Sequence, residues 1–484
     1  MRICLINPPR IHPTSWGKPT VYQPWDIAYV AALLERQHKV SIIDAPTEGL
    51  RNLERIDETK FRVGLKNEEI KDRIRRLSPD VVGINIPFSG WSKAAFEVAT
   101  LAKSVDKDII TVLNGLHPST RPVVCLNQPN VDFVVIGEPE YTMFELTSVL
   151  EQGITRDLQK IKGIGFTQNH EKIINAPRPV IQDIDSLPFP ARHLLPMDMY
   201  FAAAKKEPLR GVISKPWAAM ITSRGCPHSC VFCFHHNVMG RMWRGRSPEN
   251  VVSEIEHLVR TYKIRQIDFN DNNMTHDKKR METICDLIVE RGLDIEWFTP
   301  DGLRADTLDK NLLTKMSASG CKKIRLAPES GVQRVVDQIA KKKQSLKEVE
   351  KAVILAKKLG INVGIFFVIG LIGETKDDIR QSIKYAYKLR QLGADIFHFS
   401  IAMPQYGTEL YEQAKRHHLL RENFSDETLA GTEPLIETPE FTADDLRELC
   451  AQANLVNSSF SSHKFISALR NPQKTLKFLL KKIS

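Results

Sequence analysis

Along the first 150 residues, apolar and polar positions switch between the two-residue period of a strand and the three-to-four-residue period of a helix. Short β-branched runs fall at 2–6 (RICLI), 39–43 (KVSII), 81–86 (VVGINI), 109–113 (IITVL) and 131–136 (VDFVVI), and helix-like stretches such as 26–37, 67–77 and 92–104 separate them. Strands that alternate with helices predict a doubly wound parallel sheet, because right-handed crossovers return each strand in the same direction. Ligands of such sheets bind beyond the carboxyl ends of the strands. Here those ends carry the loops NPPR (7–10), PFSG (87–90), GLHPS (115–119) and GEPE (137–140).

From 151 to 212 the rhythm breaks. KGIGFTQN predicts a short hairpin, and Pro177, Pro179, Pro188, Pro190 and Pro196 predict a linker. A second alternating region occupies 213–421, with strands expected at about 217–223, 265–270, 295–299, 322–327, 362–369 and 395–401 and helices at 248–262, 277–291, 346–359 and 376–391. Six βα units predict a partial barrel whose active site lies at the carboxyl ends of its strands. Residues 422–484 show only helix-like and loop-like sequence. The fold class expected is therefore α/β: a doubly wound domain over 1–150, a linker, a partial (β/α)6 barrel and a helical C-terminal region.

A chain of 484 residues exceeds what one core supports, so more than one domain is required. Apolar runs of the roughly 18 residues that span a membrane are missing, and MRICLINPP reads as a buried strand rather than a signal peptide, which places the chain in the cytoplasm. The net charge of +10 suggests nucleic acid until it is located. Lys464, Arg470, Lys474, Lys477, Lys481 and Lys482 crowd the last 22 residues, where no acid stands, and leave a nearly balanced body. No nucleic-acid partner is expected on that ground. Within the tail, Leu476, Leu479, Leu480 and Ile483 form an apolar stripe beside the lysines. It predicts either a helix docked on the body or a peripheral membrane contact through 471–484.

Three of the eight cysteines, Cys226, Cys230 and Cys233, stand at C-x3-C-x2-C spacing in the loop after the first barrel strand. A disulfide framework is not expected in a large chain without a secretion signal, so the cluster calls for a metal. Three thiolates can hold three corners of a 4Fe-4S cubane and leave one iron open. The competing assignment is a zinc site completed by His235 or His236. Cys4, Cys125, Cys285, Cys321 and Cys450 are expected to be small buried residues.

The loop R-G-C-P-H-S-C-V-F-C resembles the signature of radical S-adenosylmethionine (SAM) enzymes, C-x3-C-x-Φ-C, with Phe232 at the aromatic position. The resemblance implies an iron-sulfur cluster on the three cysteines and SAM on the open iron. It further implies SAM contacts at Asp271, Asn272 and Asn273 after the second strand, at Glu329, Ser330 and Gly331 after the fourth, and at Gly370, Gly373 and Glu374 after the fifth. MPQYGTELY at 403–411 is similar to the segment after strand six of the same superfamily. Singly, these motifs read more readily as helix caps and strand ends, and it is their order after successive strands that favours SAM contacts.

The run W-R-G-R-S-P-E-N-V at 243–251 resembles the cobalamin-dependent branch of that superfamily. Ser247, Pro248 and Glu249 also suit a plain helix start, whereas Arg244 and Arg246 have no such local role. The resemblance implies that the N-terminal domain holds cobalamin, with Pro8, Ser89, Gly115, His117, Gly137 and Glu138 in the cofactor-facing loops. The D-x-H-x-x-G motif that ligates cobalt in other cobalamin domains is missing: Asn7-Pro8-Pro9-Arg10 follow the first strand. Cobalamin is then expected with its base displaced and no histidine ligand. A methylthiotransferase would carry a second cysteine trio in the N-terminal domain, which has only Cys4 and Cys125.

What the resemblance implies is an enzyme that cleaves SAM reductively to a 5'-deoxyadenosyl radical and methylates an unactivated carbon of a small-molecule or lipid-like substrate. Cyclisation or rearrangement with the same cofactors is the alternative. An electron donor such as flavodoxin or ferredoxin is expected as partner, and the region beyond 422 is expected to cap the cavity.

Overall fold

The computed structural model describes residues 1–153, 155–204 and 216–457. Five parallel strands form the N-terminal sheet: β1 (Arg2–Asn7), β2 (Lys39–Asp44), β3 (Val81–Asn85), β4 (Ile110–Asn114) and β5 (Phe133–Val135). Helices α1 (Trp25–Leu34), α2 (Asn67–Leu77), α3 (Ser92–Val105) and α4 (Pro139–Gln152) connect them or flank the sheet. Both faces are covered, so β1 and β3 are apolar almost throughout rather than alternating.

The hairpin expected within the linker belongs to this sheet. Strand β6 (Ile164–Gln168) pairs antiparallel with β5, and β7 (Glu171–Ile174) pairs with β6, giving the order β7-β6-β5-β4-β3-β1-β2. An unpaired β5 edge would expose a row of amide and carbonyl groups, and the hairpin satisfies them. The rest of the linker is not a free connection either. Ile181, Ile184 and Leu187 pack with Tyr29 and Ile221, while Met197 and Tyr200 pack with Ala28, Trp217 and Ala219, so the segment joins the two sheets' cores.

Six parallel strands make the second sheet, in the order β8 (Trp217–Met220), β9 (Gln266–Phe269), β10 (Glu296–Phe298), β11 (Cys321–Glu329), β12 (Asn362–Ile369) and β13 (Ile396–Ile401). Helices α5 (Pro248–Tyr262), α6 (Lys278–Glu290), α7 (Lys310–Ala318), α8 (Leu346–Lys358) and α9 (Lys376–Gln391) cover its outer face. Ile324, Leu326, Val363, Ile365 and Phe367 point into that outer core. By the alternation of a strand, Lys323, Arg325 and Glu329 face the lumen, where Arg325 lies over the rings of Phe298 and Phe366.

A barrel of six strands leaves two open edges, and a carboxamide closes each. Gln23, from the N-terminal domain, donates to Trp217 O and accepts from Ala219 N, both at 2.9 Å, on β8. Asn457 accepts from Phe397 N at 2.8 Å and donates to Phe397 O at 2.7 Å on β13. Beyond the barrel, α10 (Ala443–Asn454) buries Leu446, Leu449 and Ala453 in the outer core. Before it, residues 424–431 lie over the N-terminal domain, where a Cβ on Gly90 would meet Ala430 at 2.4 Å. The amphipathic tail, with residues 471–484, lies outside the described residues. Among the described residues no helix is long and apolar enough to cross a membrane.

Candidate functional site

After β8 the chain enters a loop pinched at its neck. Ser223 and Arg224 pair antiparallel with Gly245 and Arg244, so residues 225–243 leave and return through one ribbon. Gly225 has φ +77°, and a Cβ there would lie 2.0 Å from Met242 O, so the turn admits glycine alone. Asp271 locks the same neck: its carboxylate accepts from Thr222 N, Thr222 Oγ1 (2.7 Å) and Ser223 Oγ (2.6 Å). Burial pushes this carboxyl up against the pull of its donors. With its oxygens so engaged, Asp271 holds the cysteine loop in place of the SAM contact expected from its position.

Within the loop, Cys233 N donates to Cys230 O at 3.1 Å, and Val231 between them anchors an apolar cluster with Leu371, Ala402 and Leu410, against which Phe232 packs. Val231 N also donates to Ala340 O at 3.1 Å, and Leu410 N to Val231 O at 2.9 Å. All three cysteines are half-accessible. Yet burial raises the Cys230 thiol and carries Cys233 to about 12. The thiols are thus set into the protein yet still reachable, which suits ligands that must receive a cluster. Among the described residues no three metal-ligating side chains converge as on a single ion. His236 Nε2 lies 3.1 Å from His228 O, and His235 lies against Phe234.

Around this loop the residues after the later strands sort themselves. Asn273 lies on the cluster side, with Nδ2 3.8 Å from Cys226 Sγ and Oδ1 buried without a hydrogen-bond partner. Asn272 donates to Met239 Sδ at 3.2 Å. Glu329, with φ +67°, pairs at 2.6 Å with the buried Lys342, whose charge bears on both Cys230 and Cys233. Ser330 and Gly331 turn away: Ser330 Oγ is 2.9 Å from Ser382 Oγ, Gly331 N donates to the same hydroxyl, and a Cβ on Gly331 would meet Tyr385 at 2.5 Å. They seat α9 rather than face the cavity. Gly370, at φ +85°, donates to Glu374 Oε2 and leaves room for Leu446 of α10. Its role here is also packing. Burial lifts Glu374 to about 8, and its Oε1 is buried without a hydrogen-bond partner.

On the N-terminal side, Pro8 follows β1 and is buried. Ser89 Oγ and His117 Nδ1 lie 2.9 Å apart, both buried, with His117 Nε2 3.8 Å from Asp426. Asp426 also accepts from Arg121 (3.0 Å) and Tyr406 OH (2.7 Å), so the segment after 422 is tied across these loops. Gly115, at φ +107°, sits against Ile86 O. Gly137, at φ +83°, borders a cleft in which the nearest atom to an added Cβ is Val238 O at 3.9 Å. Phe88 is 38% exposed and faces Phe234 of the cysteine loop with ring centroids 5.7 Å apart. The carboxyl ends of the first sheet therefore look onto the cysteine loop, with Phe88 and Phe234 in ring contact and open space beside Gly137.

Glu138 does not belong to that cleft. Its carboxylate binds Arg224 at 3.1 Å and Arg244 at 2.9 Å and accepts from Ile181 N at 2.6 Å, all buried. Glu140 takes the other side of Arg224 at 2.6 Å, and Glu254 on α5 binds Arg192 (2.6 Å) and Arg246 (2.5 Å). The two arginines without a local role thus clamp the barrel's first loop to the N-terminal domain and the linker. Sequence reasoning missed this, along with Lys342 and Asp426. The arginines of the W-R-G-R run were a signal for the clamp, and Glu254 stands in the helix that this run opens, but nothing local marked Glu138 as the partner of Arg244.

Comparison with known proteins agrees with this architecture. The radical SAM superfamily model matches residues 220–386, and the B12 binding domain model matches 19–147. An uncharacterized methyltransferase of Pyrococcus horikoshii is 32% identical over 476 residues, 96% of each chain. The cytidylyl-2-hydroxyethylphosphonate methyltransferase of Streptomyces wedmorensis is 29% identical over 90% of this chain and 86% of its own. The anaerobic magnesium-protoporphyrin IX monomethyl ester cyclase of Rubrivivax gelatinosus is 27% identical over 72% of this chain and 61% of its own. The fold is shared with the radical SAM methyltransferase TsrM of Kitasatospora setae, at a TM-score of 0.68 and 17% identity over 87% of this chain and 77% of that one. It is also shared with the cobalamin-dependent radical enzyme OxsB, at 0.71 and 18% over 93% and 66%. With a cysteine loop at the mouth of a six-stranded barrel, a cobalamin-type sheet facing it and full-length similarity to a methyltransferase, the chain belongs to the cobalamin-dependent radical SAM methyltransferase family, whose cofactors are a 4Fe-4S cluster, SAM and cobalamin.

Proposed function

We propose that this enzyme methylates an unactivated carbon of a small-molecule or lipid-like substrate in the cavity between its two sheets. The observation that carries the reading is the facing of the halves: the Cys226–Cys230–Cys233 loop and the glycine-bordered cleft of the N-terminal sheet meet at Phe88 and Phe234. The three cysteines would hold the cluster, Asn273 beside Cys226 and the Glu329–Lys342 pair would hold SAM, and the cleft beside Gly137 would hold the corrin. When bound, the cluster supplies the electron that splits SAM, and cobalamin supplies a methyl group.

The chain's own residues position and protect. Lys342 and Glu329 carry the charges that complement the carboxylate and ammonium of SAM's amino-acid end. Phe88, Phe234 and the tied-down segment 424–431 keep water from the reacting carbon, as a radical intermediate requires. Hydrogen abstraction by a carbon radical needs no protein acid or base, consistent with the apolar rings that line the junction. A reductant such as flavodoxin or ferredoxin would supply electrons.

The test is product balance under anaerobic turnover with SAM and a candidate substrate. Methylation consumes one SAM as radical source and one as methyl donor, so 5'-deoxyadenosine and S-adenosylhomocysteine should form in equal amounts, with labelled methyl in the product. 5'-Deoxyadenosine without S-adenosylhomocysteine would favour the cyclisation named for the Rubrivivax relative.

A further inference from the structure

Just past the fourth barrel strand, the chain makes an unusual excursion beside the cysteine loop. Residues 340–347 read AKKKQSLK. Lys341 and Lys343 adopt φ +53° and +52°, left-handed values that a long side chain takes at a cost of about 1 kcal/mol or more. The two reversals send Lys342 inward to Glu329 and turn Lys343 out to solvent. Arg304 fixes this shape from within, donating to Lys342 O at 2.8 Å and Lys343 O at 3.0 Å. Arg304, itself forked on Asp306, thus braces the strained backbone of the excursion.

Its inner and outer sides are one step apart. On the inside, Ala340 O accepts from Val231 N, between two of the three cysteines, at 3.1 Å. On the outside, Lys343, Ser345, Leu346 and Lys347 line an open depression of about 830 Å³ with Gln333 and Asp337. Lys343 and Lys347 are exposed, and among the described residues neither lies within ion-pair distance of an acid. Asp337 is hydrogen-bonded by Gln333. The depression thus carries two exposed lysines against one acid, Asp337, with an apolar patch at Leu346, and lies one short stretch of backbone from Val231 in the cysteine loop.

We propose that this lysine-rimmed depression is the docking surface for a small acidic one-electron carrier protein. The inference rests on the radical SAM reading and adds where the electron enters. Electron transfer weakens steeply with distance, so the carrier must seat where the cluster lies nearest the surface. The main-chain bond from Ala340 to Val231 ties the 340–347 excursion directly to the loop that carries the cysteines, which gives a short covalent and hydrogen-bonded path from this face. Lysines bring in an acidic partner by long-range attraction, and a floor of apolar character suits a brief contact. In the encounter the carrier gives up one electron and is oxidised by one, and the cluster is reduced by one. Nothing else is transferred.

The Lys343→Glu/Lys347→Glu double variant tests this, with Lys107→Glu, on the far domain, as a charge control. SAM cleavage to 5'-deoxyadenosine is measured twice on reconstituted enzyme, with reduced flavodoxin and with dithionite. Expected is a loss of at least about 10-fold with flavodoxin, lessened at high salt, and an unchanged rate with dithionite, since a small reductant needs no docking face. Lys107→Glu should match the wild type with both. An unchanged flavodoxin rate in the double variant overturns the proposal, and so does an equal loss with dithionite. Wild-type enzyme that fails to cleave SAM even with dithionite overturns instead the radical SAM reading beneath it.

Discussion

Replacing Glu138 by alanine separates a clamp from a cofactor ligand. The side chain is 3% exposed, and it accepts from Arg224 at 3.1 Å, Arg244 at 2.9 Å and Ile181 N at 2.6 Å. Removing one partner of a buried ion pair costs about 3–5 kcal/mol, because the remaining charge stays buried. Arg224 keeps Glu140 at 2.6 Å, but Arg244 is left with backbone carbonyls such as Ile181 O. The lower end, about 3 kcal/mol, is therefore expected. For a urea m-value of about 3 kcal/mol/M that lowers the unfolding midpoint by roughly 1 M. Urea unfolding of the cofactor-free protein at pH 7, followed by tryptophan fluorescence, reads the shift. Adding Arg244→Met should recover part of it, with a coupling of about 1–3 kcal/mol. Cobalamin affinity at low urea should change little. An unshifted midpoint with abolished cobalamin binding would refute the clamp and restore Glu138 to the cleft.

Further expectations follow from other contacts. Gly225→Ala forces a side chain against Met242 O and should open the neck of the cysteine loop, seen as loss of bound iron after anaerobic reconstitution while the N-terminal domain still binds cobalamin. Gln23→Ala and Asn457→Ala each expose backbone groups of an edge strand, and each should cost about 1–3 kcal/mol in urea unfolding, additively because they cap opposite edges. Burial pulls His117 down to about 4 from its ordinary 6.5, so the folded chain keeps it neutral while the unfolded chain takes up a proton. Its share of stability is present above pH 6.5 and is lost as pH falls toward 4; His117→Gln should flatten the stability profile in that window relative to the parent.

Contiguous apolar runs such as those of β1 and β3 are legible because a sheet covered on both faces needs them, and the cysteine spacing is legible because a cluster constrains one short loop. The hairpin's membership in the first sheet was not, since pairing β6 to β5 answers the need of an edge far from the hairpin's own turn. Position after a strand placed Glu138, Asp271, Ser330 and Gly331 near the cavity, but could not show which way each faces. Asp271 turned to Thr222, whose buried amide and hydroxyl need an acceptor, and Ser330 turned to Ser382, whose hydroxyl also bonds Asp378 O. Lys342 escaped notice for a related reason: its inward course depends on two left-handed lysines that no local sequence signal announces.

The proposed chemistry puts a 4Fe-4S cluster on Cys226, Cys230 and Cys233, where it cleaves SAM beside bound cobalamin. Anaerobic reconstitution with iron, sulfide and cobalamin, followed by reduction with dithionite in the presence of SAM, measures it directly. Expected are matched iron and sulfide, bound cobalamin without a protein nitrogen on cobalt, and formation of 5'-deoxyadenosine and methionine. All SAM cleavage should vanish in each of Cys226→Ala, Cys230→Ala and Cys233→Ala and persist in Cys285→Ala, whose thiol is buried in the outer core. SAM cleavage that survives loss of any of the three, or zinc in their place, would contradict it.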